Sequence, residues 1–434
     1  MRASELADWV RDARAHMLAL VADLTDDQLR VPRMGILNPV LWEIGHAAWF
    51  QEKWVLRDGG DEPSIQGDAD RLYDSIAIDH DIRWDLPLAT REGTLAYMRE
   101  VHELVLERLE SVGTGPLKQR DEYLNLLSVY HEDMHCEALT YTRQTLAYAP
   151  PTLGCERVEP PPAISLEELG DVEVPGGSFM LGSPPDEPFV FDNEKWEHGV
   201  DVRPFAISRI AVTQGRYASF VDQGGYENDD LWCDHGLRWR AEVAAEHPVY
   251  WRRSRSGWER RDFDTWTPLE PNKAMIHVNW HEARAYCRWS GRRLPTEIEW
   301  EVAAAGELAA GGGLCERKRR YPWGDRPPEP GRANLDWRWM GCVDVTALPG
   351  GDSAFGCRQM IGNTWEWTES TFGPFPGFSP DAYKEYSSPW FDTHKVLRGG
   401  CFATRGRLIR NMLRNFYTPD RRDIWAGFRT CASR

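Results

Sequence analysis

The chain has 434 residues and carries 51 Lys or Arg against 68 Asp or Glu, which gives a formal net charge of −17. At about 150 residues per domain, this length predicts two or three domains. The acidic balance argues against sequence-independent binding to nucleic acid or to an anionic membrane, which requires a basic surface. No apolar run approaches the ~18 residues needed to span a bilayer, and the amino terminus lacks the apolar segment of a secretory signal. We therefore expect a cytoplasmic protein without nucleic-acid or membrane partners.

Nine cysteines are spread from Cys136 to Cys431 without a CxxC pair. An odd number without that spacing favours reduced thiols over a disulfide framework, as in a cytoplasmic protein. The chain also holds 21 Trp, an excess that offers electron-rich ring faces to a cationic ligand.

Residues 1–150 have a helical pattern, because apolar side chains recur there at three- and four-residue spacing. Four stretches of this kind predict a four-helix bundle. They are Leu6–Val21, Pro39–Leu56, Arg91–Val112 and Asp121–Tyr148. The interval Gly59–Ala89 is too long for a bundle turn, and long loops in compact domains are often functional.

Residues 151–168 are rich in proline, and we expect them to form a linker. Residues 169–434 contain short apolar runs broken by glycine pairs, which indicates an irregular α+β domain. Two helices are predicted within it, at His281–Trp289 and at Thr296–Ala305, and Thr296 with Glu299 fits a capping box at the start of the second.

The strongest chemical signal is the pair His131 and His135. Residues at i and i+4 of a helix project from one face, so both imidazoles can reach a single metal ion. His46, on the second predicted helix, is a candidate third ligand because a bundle brings facing positions of different helices together. Glu137 is a candidate to orient one of these ligands from outside the coordination sphere.

The identity of a metal bound by three neutral imidazoles is open at this point. Iron(II) can use its remaining coordination positions for a thiolate, a second substrate and dioxygen. Zinc can take the same ligands and activate a water or a thiol. The same histidines also fit a packed helical core that binds no metal.

Several longer segments carry a family resemblance. They are LWEIGHAAWF and HEDMHCEALTYTRQTL in the first domain, and VEVPGGSFMLGS, GNTWEWT, HKVLRGGCFATR and RNFYTPDRRDIWAGFR in the second. Together these segments resemble the EgtB-like sulfoxide synthases of ergothioneine biosynthesis, a family that includes the selenoneine synthases. The resemblance covers nearly the full chain.

This resemblance implies an α+β chain in which an N-terminal DinB-like four-helix bundle precedes an irregular, C-type-lectin-like domain similar to the formylglycine-generating enzyme. It implies that His46, His131 and His135 hold a non-haem iron(II). It also implies an O2-dependent synthase that joins a sulfur or selenium donor to C2 of the imidazole of hercynine (trimethylhistidine), giving a sulfoxide-type product. The expected substrates are hercynine and one of three donors, namely cysteine, γ-glutamylcysteine or a selenosugar.

The resemblance also assigns roles to individual residues. Tyr383 and Tyr386 match a tyrosine pair in which the first member lies near iron as a proton or hydrogen donor. Asn415 and Phe416 match a polar–aromatic pair that contacts hercynine. Arg83 matches an arginine that holds the carboxylate of the donor, for which a guanidinium is well suited.

The chain departs from the family pattern around the donor. His80 stands where γ-glutamylcysteine-using members have a second arginine, and Tyr417 stands where they have an acid. Met134 replaces a glutamine that precedes the last histidine in many members, and a Met side chain cannot donate a hydrogen bond. Ile76 and Ala77 replace paired tyrosines of cysteine-using members. A selenosugar would need fewer charged partners, in keeping with these replacements.

Two other function classes remain as alternatives. A zinc-dependent DinB-type thiol transferase would use the same three histidines without consuming O2. A non-catalytic binding module would pack the histidines without a metal. Copper is not expected, because Thr404 and Ile409 stand where formylglycine-generating enzymes have their copper-binding cysteines.

Overall fold

A computed structural model describes residues 1–113, 115–154 and 169–433, which fall into two compact units. The first unit is Met1–Gly154, and the second contains the described residues from position 169 onward. Most of the predicted linker, at positions 155–168, lies outside the described residues. Among the helices that are described, none combines the length and the hydropathy that crossing a bilayer requires.

The first unit is built from four long helices: α1 (Ala3–Val21), α3 (Val40–Gln51), α5 (Arg91–Ser111) and α6 (Gln119–Thr145). The short helix α2 (Asp26–Arg30) lies between the first two. Helix α1 contacts both α5 and α6, and α3 contacts the same two helices. This arrangement confirms the predicted four-helix bundle, with helix ends close to the predicted ones.

The apolar periodicity of α1 accounts for its packing. Leu6, Val10, Ala13 and Met17 are spaced by three or four residues, and all are fully buried. Asp8, Arg11 and Asp12 between them are exposed, whereas Arg14 is buried and pairs with Glu132 of α6 at 2.7 Å. One stripe of the helix therefore lies against the bundle.

The predicted loop Gly59–Ala89 contains two short structured segments, α4 (Ala69–Tyr73) and a 3₁₀ turn at His80–Trp84. Helix α4 is tied to α3 by two indole N–H groups. Trp42 Nε1 donates to the Leu72 carbonyl at 2.7 Å, and Trp49 Nε1 donates to Asp70 Oδ1 at 2.6 Å. Hydrogen bonds from Arg57 lower the pKa of Asp70 to about 2, so the carboxylate is charged at neutral pH. The segment is therefore held firmly against the bundle.

The second unit contains short strands in four sheets. The strands are β1 (Asp171–Val174), β2 (Gly177–Leu181), β3 (His198–Val202), β4 (Phe205–Ser208), β5 (Trp251–Ser254), β6 (Gly257–Asp262), β7 (Thr265–Pro268), β8 (Arg292–Arg293), β9 (Trp365–Thr371), β10 (Lys395–Arg398), β11 (Asn415–Tyr417), β12 (Ala426–Gly427) and β13 (Cys431–Ala432). The sheet orders are β1-β4-β13-β8, β11-β10-β9-β12, β2-β3 and β5-β6-β7. Pairing is antiparallel except between β12 and β9.

Helices α7 (Gln214–Asp222), α8 (Asp234–Glu242), α9 (Trp280–Trp289) and α10 (Glu297–Ala305) complete this unit. The predicted capping box of α10 is present, with Thr296 and Glu299 bonded reciprocally. Trp300 of α10 is fully buried in the core that also contains residues of β1, β2 and β4. These features confirm an α+β fold with little regular structure.

Buried ion pairs hold the sheet that carries β11. Arg398 of β10 donates to Glu297 and Glu301 of α10, each at 2.7 Å, and all three side chains are buried. Arg414, directly before β11, donates to Glu297 at 2.7 Å. Breaking one partner of such a network leaves an uncompensated buried charge, so the network fixes the position of β11 against α10.

Candidate metal centre

Helices α3 and α6 bring three imidazoles together inside the first unit. The ligand atoms offered by His46, His131 and His135 all lie within 4.8 Å of one another. The ring centroids are 5.0 Å apart for His46 and His131, 5.1 Å for His46 and His135, and 4.5 Å for the α6 pair. In the described part of the chain, no other group of three or more His, Cys, Asp or Glu side chains is arranged to hold a metal ion.

The nitrogen atoms of the α6 pair fit a cation. Nε2 of His131 and Nε2 of His135 are 3.3 Å apart. Two neutral imidazole nitrogens that face each other at this distance repel unless a proton or a metal ion lies between them. Their i and i+4 positions on α6 produce this convergence, as the sequence predicts.

His46 is oriented by a backbone carbonyl of α4. Its Nδ1 donates to the Tyr73 carbonyl at 2.7 Å, which leaves Nε2 as the atom available to a metal. Gly45 permits this contact, because a Cβ at that position would lie 2.3 Å from Cε1 of the Tyr73 ring. The glycine therefore lets α4 approach α3 closely at the site.

His135 is oriented by a carboxylate from the same helix as His46. Its Nδ1 donates to Glu43 Oε1 at 2.8 Å, and the Glu43 side chain is only 2% exposed. A carboxylate in this position fixes the imidazole tautomer and raises its basicity toward a metal. Glu43 was not predicted from the sequence, although its position one turn before His46 on α3 is a usable signal. The same kind of role for Glu137 stays a prediction.

Burial keeps two of the imidazoles neutral. Desolvation lowers the pKa of His46 and His131 well below the ordinary value, and the neighbouring His135 adds to the effect. Arg83 lowers the pKa of His46 further. A metal ligand must be the unprotonated form of histidine, so both rings are ready to bind a cation at neutral pH.

Aromatic rings surround the three histidines. Phe50 stacks on His131 with centroids 3.6 Å apart, and Trp42 stacks on His46 at 4.8 Å. Trp49 stacks on His46 at 5.7 Å. Such an apolar shell restricts water and strengthens electrostatic interactions inside the site.

The predicted donor-binding residues of this unit lie close to α3. Arg83 is buried with its guanidinium 4.1 Å from the Trp42 ring centre, and it donates to Asn38 Oδ1 at 2.7 Å and to the Ser75 carbonyl at 3.0 Å. Arg83 is thus joined to His46 through the ring of Trp42.

Two further predicted residues of this unit are His80 and Met134. His80 Nε2 donates to the Leu37 carbonyl at 2.6 Å. Met134 lies on α6 directly before His135 and is half-buried.

The predicted tyrosine pair of the second unit belongs to an aromatic cluster. Tyr383 and Tyr386 have ring centroids 6.2 Å apart, at a 3₁₀ turn. Tyr386 stacks on Phe191 at 4.6 Å and meets Phe416 edge-on at 5.8 Å. Phe416 stacks in turn on Phe372 at 4.0 Å. The structure therefore brings together three of the predicted residues of this unit.

Asn415 and Tyr417 flank Phe416 on β11. Asn415 Oδ1 accepts the Phe416 backbone N–H at 2.8 Å. Tyr417 lies under the Arg421 guanidinium at 5.1 Å. Burial raises the pKa of Tyr386 well above its ordinary value, and nearby acidic groups add to this, so its hydroxyl stays protonated.

Thr404 and Ile409, which the sequence predicts to stand in place of copper-binding cysteines, are both buried. Thr404 Oγ1 donates to the Sγ of the buried Cys401 at 3.6 Å. The eight cysteines among the described residues are free thiols.

Comparison with known proteins gives the family. Residues 10–139 match the DinB superfamily, and residues 158–434 match the sulfatase-modifying factor enzyme 1-like domain. A protein named hercynine oxygenase from Mycolicibacterium thermoresistibile is 36% identical over 441 residues, which cover 98% of this chain and 94% of that protein. Its namesake from Mycolicibacterium smegmatis is 36% identical over 434 residues, covering 98% and 97%. This chain belongs to the hercynine oxygenase family.

The second unit alone has relatives outside the hercynine oxygenase family. A formylglycine-generating enzyme from Streptomyces coelicolor is 33% identical over 333 residues, which cover 66% of this chain and 96% of that protein. The pairing of this domain with a DinB-type bundle agrees with the family resemblance that the sequence motifs carry.

Proposed function

We propose that this protein is a non-haem iron(II) enzyme that uses O2 to join a sulfur or selenium donor to C2 of the imidazole of hercynine. The observation that carries the proposal is the convergence of His46, His131 and His135 within 4.8 Å of one another. The names of the full-length relatives support hercynine as the substrate.

The proposed reaction balances as a four-electron oxidation. The C2–H of hercynine, the S–H or Se–H of the donor and O2 give a C2–S or C2–Se bond, one S=O or Se=O group and one water. Bound iron(II) would supply adjacent coordination positions and the transfer of electrons to dioxygen. The protein residues bind the two substrates, orient them and supply a proton.

Hercynine is proposed to bind at β11. Asn415 offers an amide, while Phe416, Tyr386 and Phe191 offer ring faces that suit a trimethylammonium group, which has no N–H to donate. Tyr383 is proposed to donate a proton or hydrogen atom, since its ring lies beside the same cluster.

The donor is proposed to bind near Arg83, His80 and Met134 of the first unit. A contact between the donor and Tyr417 stays a prediction from the resemblance. Arg83 donates a hydrogen bond to the neutral amide of Asn38. A carboxylate on the sulfur-containing substrate can replace this amide and accept a stronger, charge-assisted bond from Arg83. His80 in place of an arginine and Tyr417 in place of an acid favour a selenosugar as the alternative donor, because a sugar presents hydroxyl groups instead of charges.

The decisive experiment loads the protein with iron(II) without oxygen, then adds air, hercynine and one donor at a time, and resolves the products by mass. We expect one donor to give the adduct with uptake of one O2. His135→Ala should abolish both iron binding and turnover. His102→Ala, which removes a half-buried imidazole of α5, should keep both.

The same experiment separates the zinc alternative. A zinc-dependent thiol transferase would retain activity with zinc and consume no O2. Product formation with zinc in the absence of air would contradict the proposal. We also propose that the protein acts in the cytoplasm, which the absence of a CxxC spacing among its nine cysteines supports.

A further inference from the structure

A second chemically distinctive site lies in the C-terminal unit, at the start of α8. Cys233 is the N-cap residue of this nine-residue helix and is partly exposed. Its Sγ lies 3.8 Å from Nδ1 of His281, which belongs to α9. The proposed function uses neither residue.

His281 is a buried polar side chain aimed at this thiol. Its side chain is 6% exposed, and its ring packs against the rings of Trp239 and Trp280. Burial lowers the pKa of His281 to about 4, with Asp420 opposing this shift. The neutral ring with its proton on Nδ1 can donate an N–H to the sulfur, and this bond stabilises the thiolate form of Cys233.

Positive groups also face the pair. Lys395 of β10 is close enough to interact electrostatically with both Cys233 and His281, and Arg284 of α9 lies near His281. The N-terminus of α8 adds a partial positive charge at Cys233 itself. The charged and titratable groups around the pair are His235 and Asp234 of α8, Arg284 of α9, Glu369 of β9, Lys395 of β10, and Asp420. Glu369 forms an ion pair with Arg284 at 3.3 Å.

Other cysteines of the described residues have a different environment. Burial raises the pKa of Cys431 to about 12 and that of Cys357 to about 11, so these thiols are protonated and inert. Cys315 is partly exposed like Cys233, but it lies in the loop after α10 instead of at a helix N-cap. A cysteine at a helix N-terminus beside an imidazole and cations has the surroundings of a reactive thiol.

From this geometry we infer that Cys233 is a thiol-modification site that reacts with low-molecular-weight disulfides, with His281 as its positioning residue. The S–H proton passes to water, the Nδ1–H of His281 stabilises the thiolate, and the thiolate attacks one sulfur of the disulfide. A new S–S bond forms to Cys233 as the old one breaks, and the leaving thiolate takes the electron pair and then a proton. The disulfide is the oxidant, so the step needs no other co-reactant.

The test uses the full-length protein under anaerobic conditions with limiting 5,5′-dithiobis(2-nitrobenzoate), followed by digestion and peptide mass spectrometry. We expect Cys233 to form the mixed disulfide at least about tenfold faster than Cys315. Equal rates at the two thiols would overturn the proposal.

Two variants examine the positioning residue. His281→Phe keeps a ring in the aromatic contacts but removes the N–H donor, and we expect the rate at Cys233 to fall to that of Cys315. His281→Gln retains an N–H donor and should recover part of the rate. An unchanged rate in His281→Phe would remove the role of His281. The buried Cys287 and Cys431 serve as folding controls, because their labelling would rise only if the unit opened.

Discussion

At the scale of single residues, the candidate metal centre depends on groups that do not contact a metal themselves. Glu43 accepts the Nδ1–H of His135, and the Tyr73 carbonyl accepts the Nδ1–H of His46. Each bond selects the tautomer whose Nε2 points into the site. Such partners control metal affinity nearly as strongly as the ligands do.

Replacing Glu43 should weaken metal binding without removing a ligand. We expect Glu43→Ala to lower iron(II) affinity about 10- to 100-fold, because His135 loses its orientation and part of its basicity. Glu43→Gln keeps an oxygen that accepts the Nδ1–H but loses the charge, so its affinity should fall between those of Glu43→Ala and the unmodified protein. Anaerobic titration with a chelator competitor measures both. Equal affinity in all three proteins would contradict this role.

Tyr383→Phe should change the outcome of the proposed reaction more than substrate binding. The substitution keeps the ring in the aromatic cluster and removes only the hydroxyl. We expect a product ratio shifted from the hercynine adduct towards oxidation of the donor alone, read by mass spectrometry. Tyr386→Phe, in the same cluster, is the matched control. An unchanged ratio in Tyr383→Phe would exclude the hydroxyl from the proton or hydrogen step.

The sequence was informative about residues where spacing determines geometry. The four-residue separation of His131 and His135 fixes both on one face of α6. In a bundle, His46 on a second helix faces the other helices and can reach the same point. Glu43 was not predicted, because its one signal, a position one turn before His46, does not say which histidine the carboxylate orients. The proposed donor-binding residues are harder still to place, because Arg83 lies on a 3₁₀ turn whose position depends on tertiary contacts.

At the scale of elements, α4 is the segment that completes the site. It has only five residues, yet it carries the carbonyl that orients His46. Its attachment through Trp42, Trp49 and Arg57 places this carbonyl against α3. The close approach depends on Gly45, which presents no side chain to the ring of Tyr73.

Gly45→Ala should therefore damage the metal centre through α4 alone. The added methyl would lie 2.3 Å from a carbon of Tyr73, so the ring and its backbone must shift. We expect reduced iron(II) affinity and faster hydrogen exchange of α4 amides, while the α1, α5 and α6 amides keep their protection. Gly35→Ala is the control, because a Cβ there meets nothing within 4 Å. Unchanged hydrogen exchange of the α4 amides in Gly45→Ala would contradict the proposed link between Gly45 and the position of α4.

Helix prediction succeeded where a helix is long and amphipathic. The apolar stripe of α1 extends over most of its 19 residues, and α5 follows the predicted interval closely. Helix α4 could not be found in this way, because five residues do not complete two turns of a periodic pattern. The hairpins β5–β7 were likewise missed, since their short strands, WRRS, GWERRD and TWTP, contain no apolar run.

At the scale of the whole molecule, the two units differ in how they are stabilised. The first is an apolar bundle with a polar centre, whereas the second has a buried framework of Arg and Glu pairs around Trp300. The domain combination was predictable because motifs from both halves of the sequence point to one family. The second half alone resembles proteins with another name, the formylglycine-generating enzymes.

Buried histidines of the second unit should make its stability depend on pH. Burial, aided by Arg260 and Arg261, lowers the pKa of His277 to about 3. Below the ordinary value of about 6.5 the unfolded chain binds a proton that the folded chain does not, so stability decreases as the pH falls from there towards 3. The free energy of unfolding should drop by about 1.4 kcal/mol per pH unit from this residue.

Denaturant unfolding at several pH values between 6.5 and 4.5 checks this slope. His277→Asn removes the titrating group, and Asn tolerates the left-handed backbone of this position, where φ is 61°. The variant should have a shallower pH dependence, with His281 contributing to the remainder. Identical slopes for the variant and the unmodified protein would exclude His277 as a source.

The distribution of the three imidazoles over α3 and α6 has a consequence for biosynthesis. Because these helices are far apart along the chain, a ribosome-bound nascent polypeptide has no assembled chelating site until α6 has emerged and docked. Metal binding therefore follows the docking of α6 on α3, and the folded bundle selects among the metal ions that the cell offers. If iron is the metal, as proposed, cells starved of iron should accumulate folded protein that holds another divalent ion.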